Sequence, residues 1–126
     1  MTNSNKLVVV DYGMGNLSSV VSALEFLGAE CLVSADPMVV ATADSLLLPG
    51  VGSFRLAINA LHERNLFDVI LESVIAKQRK VLGICLGFQM LAESSTEDGQ
   101  TAGLCLIPGA VECFTPLNLQ GKKTPH

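Results

Sequence analysis

Hydrophobic positions follow two periods along this chain. Leu7-Val8-Val9-Val10 is a continuous apolar run ended by Asp11; short and β-branched, it predicts a buried strand of a parallel sheet. Ser45-Leu46-Leu47-Leu48, ended by Pro49-Gly50, and Val81-Leu82-Gly83-Ile84 have the same form, and the shorter Cys31-Leu32-Val33 belongs nearer an edge. Between the runs the period changes. Leu17, Val20, Val21, Leu24 and Leu27 recur at helical spacing until Gly28 stops the helix. From about Gly52 to Arg64 a second helix presents Phe54, Ala57, Ile58 and Leu61 on one face. A third is expected to bury Leu66, Ile70, Val74 and Ile75, and a fourth to run from Cys85 to about Ser94. Asp36-Pro37 breaks the chain, and Thr96 to Gln100 is a polar loop. Beyond Gly103, Leu104 to Ile107 and Ala110 to Phe114 read as short strands.

This alternation predicts an α/β fold with a doubly wound, mostly parallel sheet. The 126 residues fit one domain, without internal repeats or low-complexity segments. The pattern stops without a closing helix or strand, so the sheet is expected to be incomplete, with one edge or part of its core uncovered. Composition agrees: 49% hydrophobic but only 5% aromatic residues suit an aliphatic sheet under Ala-rich helices.

Charge and length then narrow the partners. The net charge is −4, and no basic run exceeds Lys122-Lys123, which argues against a nucleic-acid partner. The first apolar run is too short for a signal peptide, and none approaches the ~20 residues of a membrane span, so a cytoplasmic protein without a membrane partner is expected. The four cysteines, Cys31, Cys85, Cys105 and Cys113, form no CxxC pair and are read as reduced thiols, not a disulfide framework or a metal site.

One of them carries a chemical signal. Gly83-Ile84-Cys85-Leu86-Gly87 has the form G-x-C-x-G between a predicted strand and a predicted helix. A nucleophile at such a sharp turn is held exposed in a strained conformation, and side chains two residues to either side would collide, a conflict that glycines remove. The helix N-terminus favours the thiolate, and the Leu86 N–H is expected to be free to stabilise an oxyanion. Gln89 lies one helical turn beyond Cys85, on the same face. The loop Pro49-Gly50-Val51-Gly52 follows another strand on the same side of the sheet, where Val51 or Gly52 is the natural second oxyanion donor.

Gly13-x-Gly15-x-x-Ser18, with Asp36 downstream, partly mimics a dinucleotide fingerprint. Asp11 stands where it would repel a pyrophosphate, so a glycine turn supporting the neighbouring site is the better reading. A cysteine nucleophile also needs a proton shuttle, usually histidine. His62 lies about ten residues into its helix, roughly 15 Å from the site end. His126 is the last residue, with no orienting carboxylate after it, so the catalytic set is incomplete.

Together these residues resemble the class I (triad) glutamine amidotransferases. The matching stretches are Asp11-Tyr12-Gly13-Met14-Gly15-Asn16-Leu17, Leu48-Pro49-Gly50-Val51-Gly52-Ser53-Phe54, Gly83-Ile84-Cys85-Leu86-Gly87-Phe88-Gln89 and Leu106-Ile107-Pro108-Gly109. The first of these and Pro49-Gly50-Val51-Gly52 point to the glutaminase subunits of imidazole glycerol phosphate synthase. Pro125-His126 resembles the start of that family's Pro-His-Met-Gly-Trp-Asn segment. The resemblance implies a flavodoxin-like fold of which residues 1–126 form the N-terminal portion. It implies glutamine as substrate, Cys85 as nucleophile, Val51 or Gly52 with Leu86 as the oxyanion hole, and Gly50 and Gln89 as glutamine-holding residues. It implies no metal or organic cofactor. It places the triad's His and Glu in sequence not present here, leaving this chain inactive alone. The implied partner is a separate (β/α)8-barrel cyclase subunit that receives ammonia in a heterodimer, in histidine biosynthesis. The missing base leaves open a catalytically incomplete subunit that acts as a binding partner, and the elbow alone leaves open another cysteine hydrolase.

Overall fold

The computed structural model describes residues 5–114. Strands β1 (Leu7–Val10), β2 (Cys31–Ser34), β3 (Ser45–Leu48) and β4 (Lys80–Gly83) form one sheet in the order β2-β1-β3-β4, with every pairing parallel. This is the doubly wound parallel sheet expected from the alternating pattern, in the flavodoxin-like order that the resemblance implies. β2 lies at an edge, as its length suggested.

The chain steps outward from β1 to β2 through helix α1 (Leu17–Phe26), then back across β1 to β3 through helix α2 (Pro37–Ala41). Right-handed crossovers running in opposite directions place these two helices on opposite faces. On the α2 face, Val8, Val10, Leu46 and Leu48 pack against Val40, against Ala57, Ile58 and Leu61 of α3 (Phe54–Glu63), and against Ile70 of α4 (Phe67–Leu71). Each fully buried aliphatic side chain there contributes about 1.5–3 kcal/mol relative to exposure. No residue of α1 is fully buried. On its side of the sheet Val9 and Leu47 are covered, while their register neighbours Val33 and Leu82 are 37% and 59% exposed. Among the described residues, exposure on this side of the sheet thus lies at its two edge strands, β2 and β4.

Several local expectations are corrected. Asp36-Pro37 opens a helix instead of only breaking the chain, because Pro37 occupies the first helical turn, where its missing N–H costs nothing, and Asp36 caps the Met38 N–H. The helix carrying Ile70 continues as a π-helical turn, Glu72–Ala76, closed by Lys77 N–H donating to Glu72 O. Its wider turn rotates the apolar face, so Ser73 is buried and Ile75 is 65% exposed.

The helix after Cys85 is only α5 (Leu86–Met90), not a helix to Ser94. Leu104, Cys105 and Leu106 donate to the carbonyls of Met90, Ala92 and Leu91 at 2.8, 3.0 and 2.8 Å. The returning chain thus satisfies the helix-end carbonyls that another turn would have used. For the same reason Leu104 to Ile107 is not a strand. The extended pieces are β5 (Ser94–Ser95), β6 (Thr101–Ala102) and β7 (Ala110–Val111), in a small sheet ordered β6-β5-β7, so the strand expected over Ala110 to Phe114 forms at its first two residues only. Among the described residues no helix is long and apolar enough to cross a membrane.

Candidate active site

Cys85 leaves β4 with φ 54° and ψ −118° and caps α5. A positive φ at a residue with a side chain costs about 1–3 kcal/mol and persists only where the surroundings over-determine it. They do so here. Ile84 N–H donates to Leu48 O at 3.0 Å, Gly87 N–H to Ile84 O at 2.9 Å, and Gln89 N–H to Cys85 O at 3.1 Å. The flanking glycines are sterically required. A Cβ on Gly83 would stand 2.5 Å from Phe88 Cα, and one on Gly87 would strike Leu48 O and stand 2.6 Å from Leu48 C. The thiol is left exposed, as the G-x-C-x-G spacing predicted.

The thiol opens on a cleft of about 420 Å³ lined by Gly50, Val51, Gly52, Cys85, Leu86, Gln89 and Glu97. All six site residues named from the sequence line it. Glu97 joins them without any local signal beyond a polar loop. It is brought in by contacts across the fold. Ser53 Oγ donates to Asp98 Oδ2 at 3.1 Å and Arg55 Nε to Thr101 Oγ1 at 3.1 Å, fixing the loop to the start of α3. Glu97 adds an anionic group to a cleft whose other lining side chains are neutral or a thiol.

One of the expected oxyanion donors stands differently from expectation. The Leu86 N–H is not free: it donates to Gly50 O at 3.3 Å. Two loops that fold independently in the sequence pattern meet here, so the carbonyl of one fills the donor of the other. Among the described residues, the Val51 and Gly52 N–H groups meet no acceptor, and Val51 is 65% exposed.

Beneath the cleft, Tyr12 is buried and its hydroxyl donates to Pro49 O at 2.6 Å. Burial raises its phenol pKa above the ordinary value near 10. The unfolded chain releases this proton near pH 10 while the folded chain retains it, so the contribution to stability is complete below that pH and is lost as pH rises through the higher folded value. Tyr12 is the only tyrosine, and there is no tryptophan. Phenolate absorbance is therefore expected to appear well above pH 10, together with unfolding, and a phenol titrating near 10 in a folded protein would contradict the buried geometry.

The residues of the partial dinucleotide pattern serve as turns and caps. Asp11 Oδ1 accepts from Gly13 N–H at 3.1 Å, and Asn16 Oδ1 accepts from Ser19 N–H at 3.3 Å at the start of α1. A Cβ on Gly15 would stand 3.5 Å from Gly50 Cα, so this turn packs directly under the cleft loop. His62 lies in the last turn of α3, exposed and stacked on Phe67 with ring centroids 4.1 Å apart, and does not line the cleft. His126 and the Pro125-His126 match lie outside the described residues.

An exposed cysteine on a sharp strand-to-helix turn at the carboxyl ends of a parallel sheet, facing a glycine loop, defines a class, and the chain belongs to it. Residues 17–116 match the family profile of the CobB/CobQ-like glutamine amidotransferase domain, which makes this chain a member of the glutamine amidotransferase family. More narrowly, it is similar to imidazole glycerol phosphate synthase subunit HisH of Lacticaseibacillus casei (49% identical over 120 residues, 95% of this chain and 56% of the relative). It is likewise similar to HisH of Gloeobacter violaceus (46% over 126 residues, 100% and 54%) and HisH 2 of Vibrio vulnificus (43% over 122 residues, 96% and 56%). The chain thus spans just over half the length of these relatives. A solved glutamine amidotransferase structure superposes with a TM-score of 0.73 at 21% identity, covering 84% of this chain and 55% of that one, and supports the fold.

Proposed function

We propose that this chain carries the nucleophile of a cytoplasmic glutaminase that feeds ammonia to the cyclase subunit of an imidazole glycerol phosphate synthase in histidine biosynthesis. The observation that carries the reading is the exposed Cys85 thiol at the mouth of a cleft it shares with Gly50, Val51, Gly52, Leu86, Gln89 and Glu97, in a chain of this family. The HisH relatives direct it to the synthase.

In the proposed reaction the Cys85 thiolate attacks the side-chain amide carbon of glutamine, and charge develops on the amide oxygen. The C–N bond breaks, the nitrogen takes a proton, and ammonia leaves a γ-glutamyl thioester. Water then adds, the C–S bond breaks, and glutamate departs. Gln89 and the Gly50 backbone hold the substrate, and the Glu97 carboxylate suits its α-ammonium group. Among the described residues no histidine reaches the cleft, so the proton-shuttling base is assigned to polypeptide beyond them.

The oxyanion hole requires one movement. For Leu86 N–H to serve the developing charge, the Gly50 carbonyl must leave it. Rotating the Gly50–Val51 peptide plane removes that carbonyl and turns the Val51 N–H toward the cleft in the same motion. Two donors are thereby presented where one was occupied.

The direct test is the selectivity of covalent labelling. Cys85, Cys105 and Cys113 are all exposed, so exposure alone does not single out one of them. A chloroketone analogue of glutamine is expected to modify Cys85 first, with excess free glutamine protecting it. Equal modification of the exposed cysteines, unaffected by glutamine, would sink the reading.

A further inference from the structure

Tyr12 is a buried side chain that touches the cleft's framework without lining the cleft. Its ring is 1% exposed, and its hydroxyl reaches across from the end of β1 to the Pro49 carbonyl. Pro49 has a fixed φ and no N–H, so its remaining freedom at this point is the orientation of the carbonyl that Tyr12 holds. The next residue is equally confined. A Cβ on Gly50 would strike the Tyr12 hydroxyl and stand 3.0 Å from Leu86 Cβ and 3.2 Å from Gly87 N. Leu48, Pro49 and Gly50 are buried, whereas Val51 and Gly52 are exposed. The segment therefore passes from locked to open at a single peptide, Gly50–Val51, and that peptide carries both the carbonyl on Leu86 and the Val51 N–H.

We propose that Tyr12 is a positioning residue whose hydroxyl pins the Pro49 carbonyl, so that the Gly50–Val51 peptide alone turns against a fixed pivot when the oxyanion donors are presented. The proposal rests on the reading of Cys85 as a glutaminase nucleophile and adds the group that makes the rotation local. Tyr12 acts through Pro49 and touches no substrate. Without its hydroxyl, Pro49 O loses its partner and the pivot becomes loose. The Gly50 carbonyl then no longer holds a defined position on Leu86, and the two donors no longer converge on one point.

Tyr12→Phe keeps the ring and removes only the hydroxyl. Two reagents separate positioning from access. A chloroketone analogue of glutamine places its ketone oxygen in the oxyanion position, whereas iodoacetamide alkylates the thiol by direct displacement and needs no such hole. Tyr12→Phe is expected to slow chloroketone modification of Cys85 about tenfold or more and to change the iodoacetamide rate by less than about twofold, since small misplacements of catalytic groups carry large rate penalties. Equal slowing of both reagents, or of neither, overturns the proposal.

Amide hydrogen exchange gives a readout independent of glutamine chemistry. The Leu86 N–H, bonded to Gly50 O beyond the pivot, is expected to exchange about tenfold faster in Tyr12→Phe. The Ile84 N–H, bonded to Leu48 O before the pivot, is expected to be unchanged. A parallel rise at both amides would mean general destabilisation, and no rise at Leu86 would mean no pivot; either overturns the proposal. If the chloroketone shows no preference for Cys85 in the unmodified protein, the glutaminase reading fails, and the exchange comparison still decides the role of Tyr12.

Discussion

Cys85→Ala is expected to abolish glutamine hydrolysis, lowering kcat by about 10⁴-fold or more, as removal of an activated nucleophile does elsewhere. The thiol is exposed, so the change opens no cavity and leaves the packing of α5 as it is. Stability should therefore hold while activity disappears. Cys85→Gly sharpens the contrast. The backbone at this residue sits at φ 54°, where glycine is unstrained, so this variant should be inactive yet more stable by up to about 1 kcal/mol. Ammonia release by the amidotransferase assembled with the proposed cyclase partner, measured beside thermal melts of both variants, tests the pair of expectations. Turnover near normal in Cys85→Ala would remove the nucleophile assignment. A Cys85→Gly variant less stable than Cys85→Ala would show that the elbow is not under strain.

Gly87→Ala is expected to be the most damaging single methyl addition at the site. The new Cβ would strike Leu48 O and stand 2.6 Å from Leu48 C and 3.2 Å from Pro49 C, all backbone atoms. No side chain can swing away to relieve the clash, so α5 must lift off the end of β3. Overpacking against backbone in this way costs about 3 kcal/mol or more. In a domain of this size that corresponds to a fall in Tm of roughly 10–20 °C. The same movement displaces Leu86 and Cys85 from the Gly50 loop, so labelling by the glutamine-like chloroketone should fall together with stability. Gly28→Ala is the control: its φ is +79°, but nothing lies within 4 Å of the added Cβ, so it bears backbone strain without the clash. A Gly87→Ala melt no lower than that of Gly28→Ala would refute the collision argument.

The features most legible in the sequence were those set by near neighbours. Leu7 to Val10 and Leu46 to Leu48 are continuous apolar runs, and such a run buried in a parallel sheet states its own structure. The elbow was legible because its constraint acts two residues to either side of Cys85, within one short motif. Features created by distant contacts were not visible. Glu97 reaches the cleft because Ser53 and Arg55 hold Asp98 and Thr101 from more than forty residues away, and no pattern around Glu97 carries that information. The early end of α5 depends on backbone donors at Leu104 to Ile107, which the apolar period read as a strand. The occupied Leu86 donor depends on the relative placement of two loops. The π-helical turn was hidden because it preserves helical composition while shifting which residues face inward, exchanging Ser73 for Ile75.

The tether at the far end of α5 bears on how this protein can change over generations. Between Met90 and Glu93 it is held by the backbone of Gly103 to Gly109 mainly through N–H and carbonyl groups, with the Cys105 thiol also donating to Glu93 O at 3.6 Å. The backbone bonds do not depend on side-chain identity. Phe88, Ile107 and Pro108, which help to wall a second hollow of about 180 Å³ beside Gln89, are therefore expected to accept substitution without shifting the elbow, whereas Val111 also packs against the core. Inheritance is expected to divide accordingly: the position of Cys85 is fixed by main-chain geometry and a few glycines, while the wall next to it can drift to suit a different neighbour.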